Sequence, residues 1–346
     1  MKTTNKNPSE TTWKKLYELA GKVKELAPWE FLEESALFGV KNPETEEIGF
    51  VSVMGLLGEH LSIGVYRGAE GLYGYWNISD PNTDLQSNPF MLFDIPQFQV
   101  SFEDREQLEK QDREVVKKLG FKFRGRQNYP LFRSIHPGFM AYFVTAEEAK
   151  FLTCILEQTL RTAPRIKADE MLLPDLDENL YLVRVLEKGV WKDEIMSILP
   201  PEEFTIRFDA PNEIIETLIQ NPQTKGLVLE VDFSYVPMPI AEKGSRPFYP
   251  KMLMIAEAKQ GMVLAFDIIK PEENLIETHK KLPRLLMEKL QTLKMRPEEI
   301  RVKNNMLFEM LKSLTQQINI KLSKTDELPA IEIAQDEMFS FLGGGF

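Results

Sequence analysis

The feature that most constrains this chain is a set of strongly apolar runs in its final third. Residues 226–235 read GLVLEVDFSY, and two further runs, 252–257 and 262–269, are separated by a Lys-Gln-Gly turn. Apolar runs of this length, bounded by turn residues and rich in β-branched and aromatic side chains, are typical of strands. Helical and short extended patterns alternate after them. The sequence therefore predicts a mixed β-sheet with flanking helices, in the order β-β-β-α-β-α-β-α.

This element order, with Asp232 as an acid inside the first strand, resembles the ribonuclease H-like fold of nucleases and transposases. Activity in that family requires carboxylates that converge on one or two divalent metal ions. The resemblance implies Asp232, Glu277 and, in the last helix, Asp336 or Glu337 as the catalytic residues. The position after the fourth strand is Asn304, and a neutral amide lacks the charge that a second hard cation needs. We therefore expect a ribonuclease H-like domain whose catalytic set is incomplete.

The N-terminal half of the chain predicts a second α+β region. Apolar and aromatic runs at 48–57, 61–66 and 71–76, with glycines between them, predict a three-strand antiparallel meander. Thr145 begins a capping box, which predicts the start of a helix. The proline- and acid-rich stretch 163–178 predicts a linker. The fold class is α+β, with an N-terminal domain at 1–165, a connecting segment at 166–223 and a C-terminal domain at 224–346.

The connecting segment carries most of the negative charge. Residues 168–223 contain 13 Asp or Glu and 4 Lys or Arg, and the whole chain has a formal charge of −11. Two strands joined at Lys188-Gly189, and a third at 204–208, are expected there. The net charge argues against broad electrostatic capture of nucleic acid or of an anionic membrane. The single cysteine fits a reducing compartment, and no long apolar stretch predicts a secretion signal or a membrane span. We expect a cytoplasmic protein without a membrane partner.

One stretch of the chain, 113–133, is basic. It holds seven Lys or Arg and a single acid, Glu114, with aromatic residues interleaved. Cations that neutralise phosphates beside rings that stack on bases are typical of single-stranded nucleic-acid binding. The alternation in 121–124 is equally typical of a half-buried strand with its phenylalanines inward. The cations of such a strand would pair with the acidic segment of the same chain. The candidate binding residues are Lys122, Arg124, Arg126 and Arg133.

No complete catalytic constellation is present in the sequence. The three histidines, His60, His136 and His279, lie far apart and have no zinc-binding spacing. The leading hypothesis is a non-catalytic protein that binds another macromolecule, a protein in preference to a nucleic acid, without a cofactor. Its contact surface is either the basic stretch 113–133 or the acidic segment 168–223. The alternative is a metal-dependent phosphodiesterase or nuclease that uses Asp232, Glu277 and Asp336 with a divalent metal ion.

Over its whole length the sequence resembles a family of bacterial proteins built of domains of unknown function. This resemblance implies a two-part layout and a bacterial cytosolic setting, and it implies no activity. It is carried by Pro28-Trp29-Glu30, the strand at 50–55, Val65-Tyr66-Arg67-Gly68, the segment 129–133, Pro137-Gly138 and Leu328-Pro329.

Overall fold

The chain divides into two units of structure. A computed structural model describes residues 7–83, 89–175, 179–201, 212–272 and 275–341. The first unit comprises 1–136 and 141–201, and the second comprises 137–140 and 202–346. Along the described residues, no helix combines the length and the apolar character that crossing a membrane requires.

The first unit combines an eight-stranded sheet with helices on both of its faces. Its helices are α1 (Glu10–Leu26), α2 (Gly68–Ser79), α3 (Lys110–Leu119) and α4 (Ala146–Ala168). Its strands are β1 (Phe38–Lys41), β2 (Ile48–Met54), β3 (Ser62–Arg67), β4 (Gln97–Glu103), β5 (Tyr129–Ile135), β6 (Tyr142–Phe143), β7 (Leu180–Glu187) and β8 (Val190–Ser197). The strand order is β6-β5-β4-β3-β2-β1-β7-β8, with β1 and β7 the parallel pair.

Alternation along the strands builds two cores in this unit. Val51 and Val53 of β2 face α1 and α4, whereas Phe50, the residue before Val51, faces α2. Because neighbouring strand residues point to opposite faces, one strand serves both layers. Cys154 lies half-buried on α4, and burial raises the pKa of its thiol, in keeping with its apolar surroundings. The α+β class is confirmed, and β1 to β6 pair in consecutive antiparallel order.

The third strand of the predicted meander is wrong, because residues 71–76 lie in α2. Leu72 and Tyr75 are one helical turn apart, and both face the sheet. A Cβ on Gly71 would meet the carbonyl oxygen of Pro96 at 2.8 Å, so this glycine lets the helix approach the strands. The glycines that suggested turns between short strands therefore include one that serves close packing.

Three further predictions in this unit need correction. Residues 121–124 form no strand. The predicted linker begins inside α4, which continues through Pro164 to Ala168. The predicted first strand ends at Met54, and Leu56 and Leu57 lie in a turn.

The two strands predicted in the acidic segment form as β7 and β8 and join the sheet of the first unit. The strand predicted at 204–208 falls outside the described residues.

From its first strand onward the second unit follows the predicted order of elements, except that two helices stand where one was predicted after the third strand. Its helices are α5 (Asn212–Gln220), α6 (Leu275–His279), α7 (Leu282–Thr292), α8 (Asn305–Gln317) and α9 (Pro329–Phe341). Its strands are β9 (Gln223–Tyr235), β10 (Lys251–Glu257), β11 (Val263–Ile269), β12 (Arg296–Val302) and β13 (Lys321–Lys324). They form a mixed sheet of order β11-β10-β9-β12-β13, in which β9 and β12, and β12 and β13, are parallel.

Helices cover the two faces of this sheet differently. One face, called here the α7 face, packs Val231 and Phe233 of β9 against α7 and α8. The opposite face, called the α9 face, packs Met252 and Met254 of β10 against α9. Residues that alternate along β9 therefore fall into two different environments, and this division decides where the acids of the strand lie.

Candidate functional site

Asp232 lies on the central strand β9 and is tied to α9. Its Oδ2 accepts a hydrogen bond from Nε2 of Gln335 at 3.1 Å, and the same amide donates to Oγ of Ser234 at 2.9 Å. The carboxylate is half-buried on the α9 face, one residue away from Phe233 on the α7 face. The contact uses Asp232 to hold a helix against the sheet.

Glu277 and Asp336 do not join Asp232. Glu277 is exposed on α6 and pairs with Lys280 at 2.6 Å. Its helix packs on the α7 face, where the ring of His279 lies 5.9 Å from that of Phe233. Asp336 is exposed on α9. Within the ranges that the structure describes, no group of three or more His, Cys, Asp or Glu is arranged to hold a metal ion. These three carboxylates therefore do not assemble the metal site that the enzymatic alternative requires.

Two polar residues of the second unit cap helices. Glu230, buried on β9, accepts hydrogen bonds from the backbone N–H groups of Ala330 at 2.8 Å and Ile331 at 3.1 Å. Burial raises the pKa of Glu230, and these two hydrogen bonds oppose the shift. Oδ1 of Asn304 accepts from the N–H groups of Met306 and Leu307, which gives the amide at this position a capping role. Glu230 could not be identified from the sequence, because a capping acid inside an apolar strand has no local signature.

A lysine and a histidine are buried together on the α7 side of the second unit. Lys251 Nζ lies 3.3 Å from Nε2 of His279 and 4.1 Å from the ring centre of Tyr235. Burial, together with the nearby ammonium of Lys251, lowers the pKa of His279 to about 3. The imidazole is therefore neutral at physiological pH and accepts a hydrogen bond from the lysine. The pair has little access to solvent.

Ser134, His136 and Glu148 form a cluster with the composition, but not the order, of a hydrolase triad. Ser134 Oγ and His136 Nε2 both donate to Oε1 of Glu148, at 2.7 and 2.9 Å. The carboxylate lies between the two, and Ser134 is fully buried, so the histidine is not placed to activate the hydroxyl. Burial raises the pKa of Glu148, but hydrogen bonds from His136, Thr145 and Ser134 outweigh it and bring the value to about 2. The cluster fixes the start of α4.

Arg133 differs from the other candidate binding residues because it is buried. Its guanidinium donates to Asp112 at 2.7 and 3.0 Å and to Glu109 at 3.2 Å, and it lies 4.6 Å from the ring centre of Phe143. The Arg133 and Asp112 side chains are each less than a tenth exposed. This arginine joins β5 to α3 and does not face solvent.

Residues 121–128, called here the basic loop, present their cations to solvent. Gly120 ends α3 in the left-handed conformation, and the loop then passes over α1. The rings of Phe121 and Phe123 turn inward and contact Tyr17 at 5.4 and 5.9 Å. The side chains between and after them point outward, namely those of Lys122, Arg124 and Arg126. The inward and outward alternation expected of a strand is thus present in an irregular loop.

The cations of the basic loop are weakly engaged. Arg126 Nε lies 3.8 Å from Asp104 Oδ2, and the arginine side chain is 92% exposed. Neither Lys122 nor Arg124 forms an ion pair with any carboxylate in the described part of the chain. The three cations lie on a loop that is fixed by the packing of Phe121 and Phe123 on Tyr17, so they are suited to contact an anionic surface.

Comparison with known families gives one match for each half of the chain. Residues 13–184 match the family described as Domain of unknown function (DUF7309), and residues 214–339 match the family described as Domain of unknown function (DUF6930). No curated protein matches the chain. The expectation that the chain is built of domains of unknown function is therefore confirmed, and its sequence is similar to two such families, one after the other.

Proposed function

We propose that this chain is a non-catalytic binding protein that takes an acidic surface of a partner protein on its basic loop. The observation that carries this proposal is the exposure of Lys122 and Arg124 without an ion pair to a described carboxylate. Arg133 of the same basic stretch is instead paired with Asp112 in the interior of the fold. An exposed, unpaired cation on a loop contributes little to stability and is available to a partner.

A protein partner fits the loop better than a nucleic acid. Stacking on bases requires exposed rings, whereas Phe121 and Phe123 pack inward on Tyr17. The formal charge of −11 gives no long-range attraction to any polyanion, so the loop is suited to short-range pairing with a few carboxylates. The proposal also includes a cytoplasmic location, which the single cysteine supports because it fits a reducing compartment, and a bacterial origin.

For the second unit, a ribonuclease H-like scaffold without the activity is part of the proposal. Its support is the order of elements and the central position of the strand that carries Asp232. The separation of Asp232 from Glu277 on opposite sides of the sheet weighs against metal-dependent hydrolysis. The enzymatic alternative is therefore not favoured.

Charge reversal on the basic loop tests the proposal. The full chain carrying Lys122→Glu and Arg124→Glu is titrated with labelled oligoglutamate and with single-stranded DNA, and binding is followed by fluorescence anisotropy at low and moderate salt. We expect binding of oligoglutamate by the native chain, and a loss of about tenfold or more in affinity for the variant.

The matched control reverses two exposed lysines elsewhere, Lys188→Glu and Lys259→Glu, which changes the net charge by the same amount. It should retain the native affinity within about twofold. Equal losses in both variants would assign the binding to net charge and contradict a site at the loop. Tighter binding of DNA than of oligoglutamate would contradict the choice of partner.

A further inference from the structure

The turn between β2 and β3 exposes two leucines. The N–H of Gly58 donates to the carbonyl of Gly55 at 2.8 Å, which closes a turn with Leu56 and Leu57 at its corners. Leu56 is 59% exposed and Leu57 is 87% exposed. Corner positions of turns favour Gly, Pro, Asn, Asp or Ser, because these residues suit the backbone or the solvent. Leucines at both corners keep apolar surface in water and contribute little to the core.

This turn is held against the basic loop by hydrogen bonds. Nε2 of Gln127 donates to the carbonyl of Gly58 at 3.2 Å and to that of Glu59 at 3.1 Å. The backbone N–H of Gln127 donates to Asp104 at 2.7 Å. Gln127 itself adopts a positive φ of 51°. The two segments are therefore fixed to each other, although about 70 residues separate them in sequence.

Together, the turn and the loop form one surface with an apolar and a cationic part. We call it the Leu-Arg surface; its members are Leu56, Leu57, Lys122, Arg124 and Arg126. Two acids beside it are already engaged, since Glu103 is 3.8 Å from His60 and Asp104 accepts from Gln127. A third acid, Glu59, is exposed two residues after Leu57, and the three cations outnumber it. The free charge of the surface is therefore positive, and it lies next to exposed apolar area.

We propose that the Leu-Arg surface binds an acidic segment of a partner protein that presents an apolar side chain among its carboxylates. The apolar side chain contacts Leu56 and Leu57, and the carboxylates pair with Lys122 and Arg124. This inference rests on the proposed function and names the partner chemistry that the loop alone leaves open. Interfaces of this kind combine a desolvated apolar contact with a charged rim that sets specificity and association rate.

Charge and size favour a protein segment over the other anionic surfaces. A bilayer would receive only two leucines from a chain of net charge −11, and stable attachment requires a larger apolar area or a second anchor. A nucleic acid offers phosphates to the cations, but its bases bind by stacking on aromatic rings, and none of the five side chains of the surface has a ring. An acidic peptide with a leucine or phenylalanine complements both parts of the surface.

An array of acidic peptides tests the inference. Each peptide has the same number of glutamates, and the uncharged positions carry either leucine or serine at every spacing. Anisotropy is measured with the full chain and with the variants Leu56→Ser/Leu57→Ser and Lys122→Glu/Arg124→Glu. Leu199→Ser, another exposed leucine, is the matched control. Anionic vesicles and single-stranded DNA serve as competing probes, and thermal unfolding verifies that each variant is folded.

For the native chain we expect the best leucine peptide to bind about tenfold more tightly than its serine counterpart. Leu56→Ser/Leu57→Ser should remove that preference and keep the weaker binding of serine peptides, and Leu199→Ser should change neither. Binding of both peptide classes with equal affinity, still dependent on Lys122 and Arg124, would overturn this inference and leave the proposed function in place. Binding of no peptide would overturn both. Leucine-dependent binding of vesicles alone would assign the surface to lipid and overturn the inference.

Discussion

Charged residues have different roles in the basic stretch of the first unit and on the central strand of the second. In the first unit, Arg133 is buried against Asp112, whereas Lys122 and Arg124 remain exposed and unpaired among the described residues. On β9, both Glu230 and Asp232 are engaged by α9. A buried charge is stable only with a partner, because desolvation costs several kcal/mol. The comparison shows that the availability of a charge, and not its presence in a motif, separates a binding residue from a structural one.

The largest effect on the free energy of unfolding is expected for Arg133, the buried charge in this comparison. Arg133→Ala leaves the carboxylate of Asp112 buried without its partner, so we expect the free energy of unfolding to fall by about 3–5 kcal/mol. Urea denaturation followed by tryptophan emission measures it, because Trp13, Trp29, Trp76 and Trp191 all lie in the first unit.

Arg124→Ala is the matched control for this prediction. The side chain comes from the same stretch but is exposed, so the free energy of unfolding should change by less than about 0.5 kcal/mol. If the two variants lost similar stability, the division of the stretch into structural and available cations would be wrong.

A second prediction concerns the buried histidine of the second unit. Burial and Lys251 lower the pKa of His279 to about 3, from 6.5 in an unfolded chain. The unfolded chain therefore binds a proton below pH 6.5 that the folded chain refuses, and stability falls as the pH decreases. The loss is at most about 1.4 kcal/mol per pH unit, or about 2–3 kcal/mol at pH 4.5.

His279→Gln should remove this pH dependence, since glutamine is neutral throughout and still offers an acceptor to Lys251. Circular dichroism in urea at pH 7 and pH 4.5 measures the change, with tryptophan emission marking the first unit. The low pKa of Glu148 makes the free energy of unfolding depend on pH mainly below pH 4.5, because 4.5 is the pKa of this group in an unfolded chain. A variant that keeps the native pH dependence would show that another group is responsible.

The smallest effects are expected on β9 itself. Glu230→Ala removes the acceptor of two buried N–H groups at the start of α9, so we expect a loss of about 1–2 kcal/mol in the free energy of unfolding. Asp232→Asn keeps an oxygen that accepts from Gln335, and should cost less than about 0.5 kcal/mol. Circular dichroism in urea compares the two variants. The reverse ranking would give Asp232 a larger role than the contact with α9 explains.

The second unit was the more predictable of the two from sequence. Its strands are long and strongly apolar, so that local pattern and tertiary environment agree, as in the run that became β9. The strand prediction for 71–76 was wrong because an aromatic run with glycines suits either a strand or a packed helix. In the structure the helix lies close to the backbone of Tyr66 and the carbonyl of Pro96, where only a glycine at position 71 fits. The pairing of Arg133 with Asp112 could not be predicted, because the two lie 21 residues apart and meet only through the fold.

Of the candidate sites, the sequence identified the exposed cations but not their neighbours. Lys122 and Arg124 follow from composition alone, whereas the contact of Gln127 with the turn at Gly58 depends on backbone geometry. The leucines at the turn had a signal in the flanking glycines Gly55 and Gly58, which a continuous strand would not require. For the acids, one-residue alternation along β9 decides the face, and no linear spacing shows which helix covers it.

The parallel pair β1–β7 brings Gly39 opposite Val183. A ribosome releases the chain from its N-terminus, so β1 and the meander emerge well before β7 is synthesised. During that interval the outer amides and carbonyls of β1 have no strand to bond, and a bare strand of this kind recruits other chains. This side of β1 therefore stays uncovered until the β7–β8 hairpin is made, and a truncated product that ends before β7 is expected to aggregate.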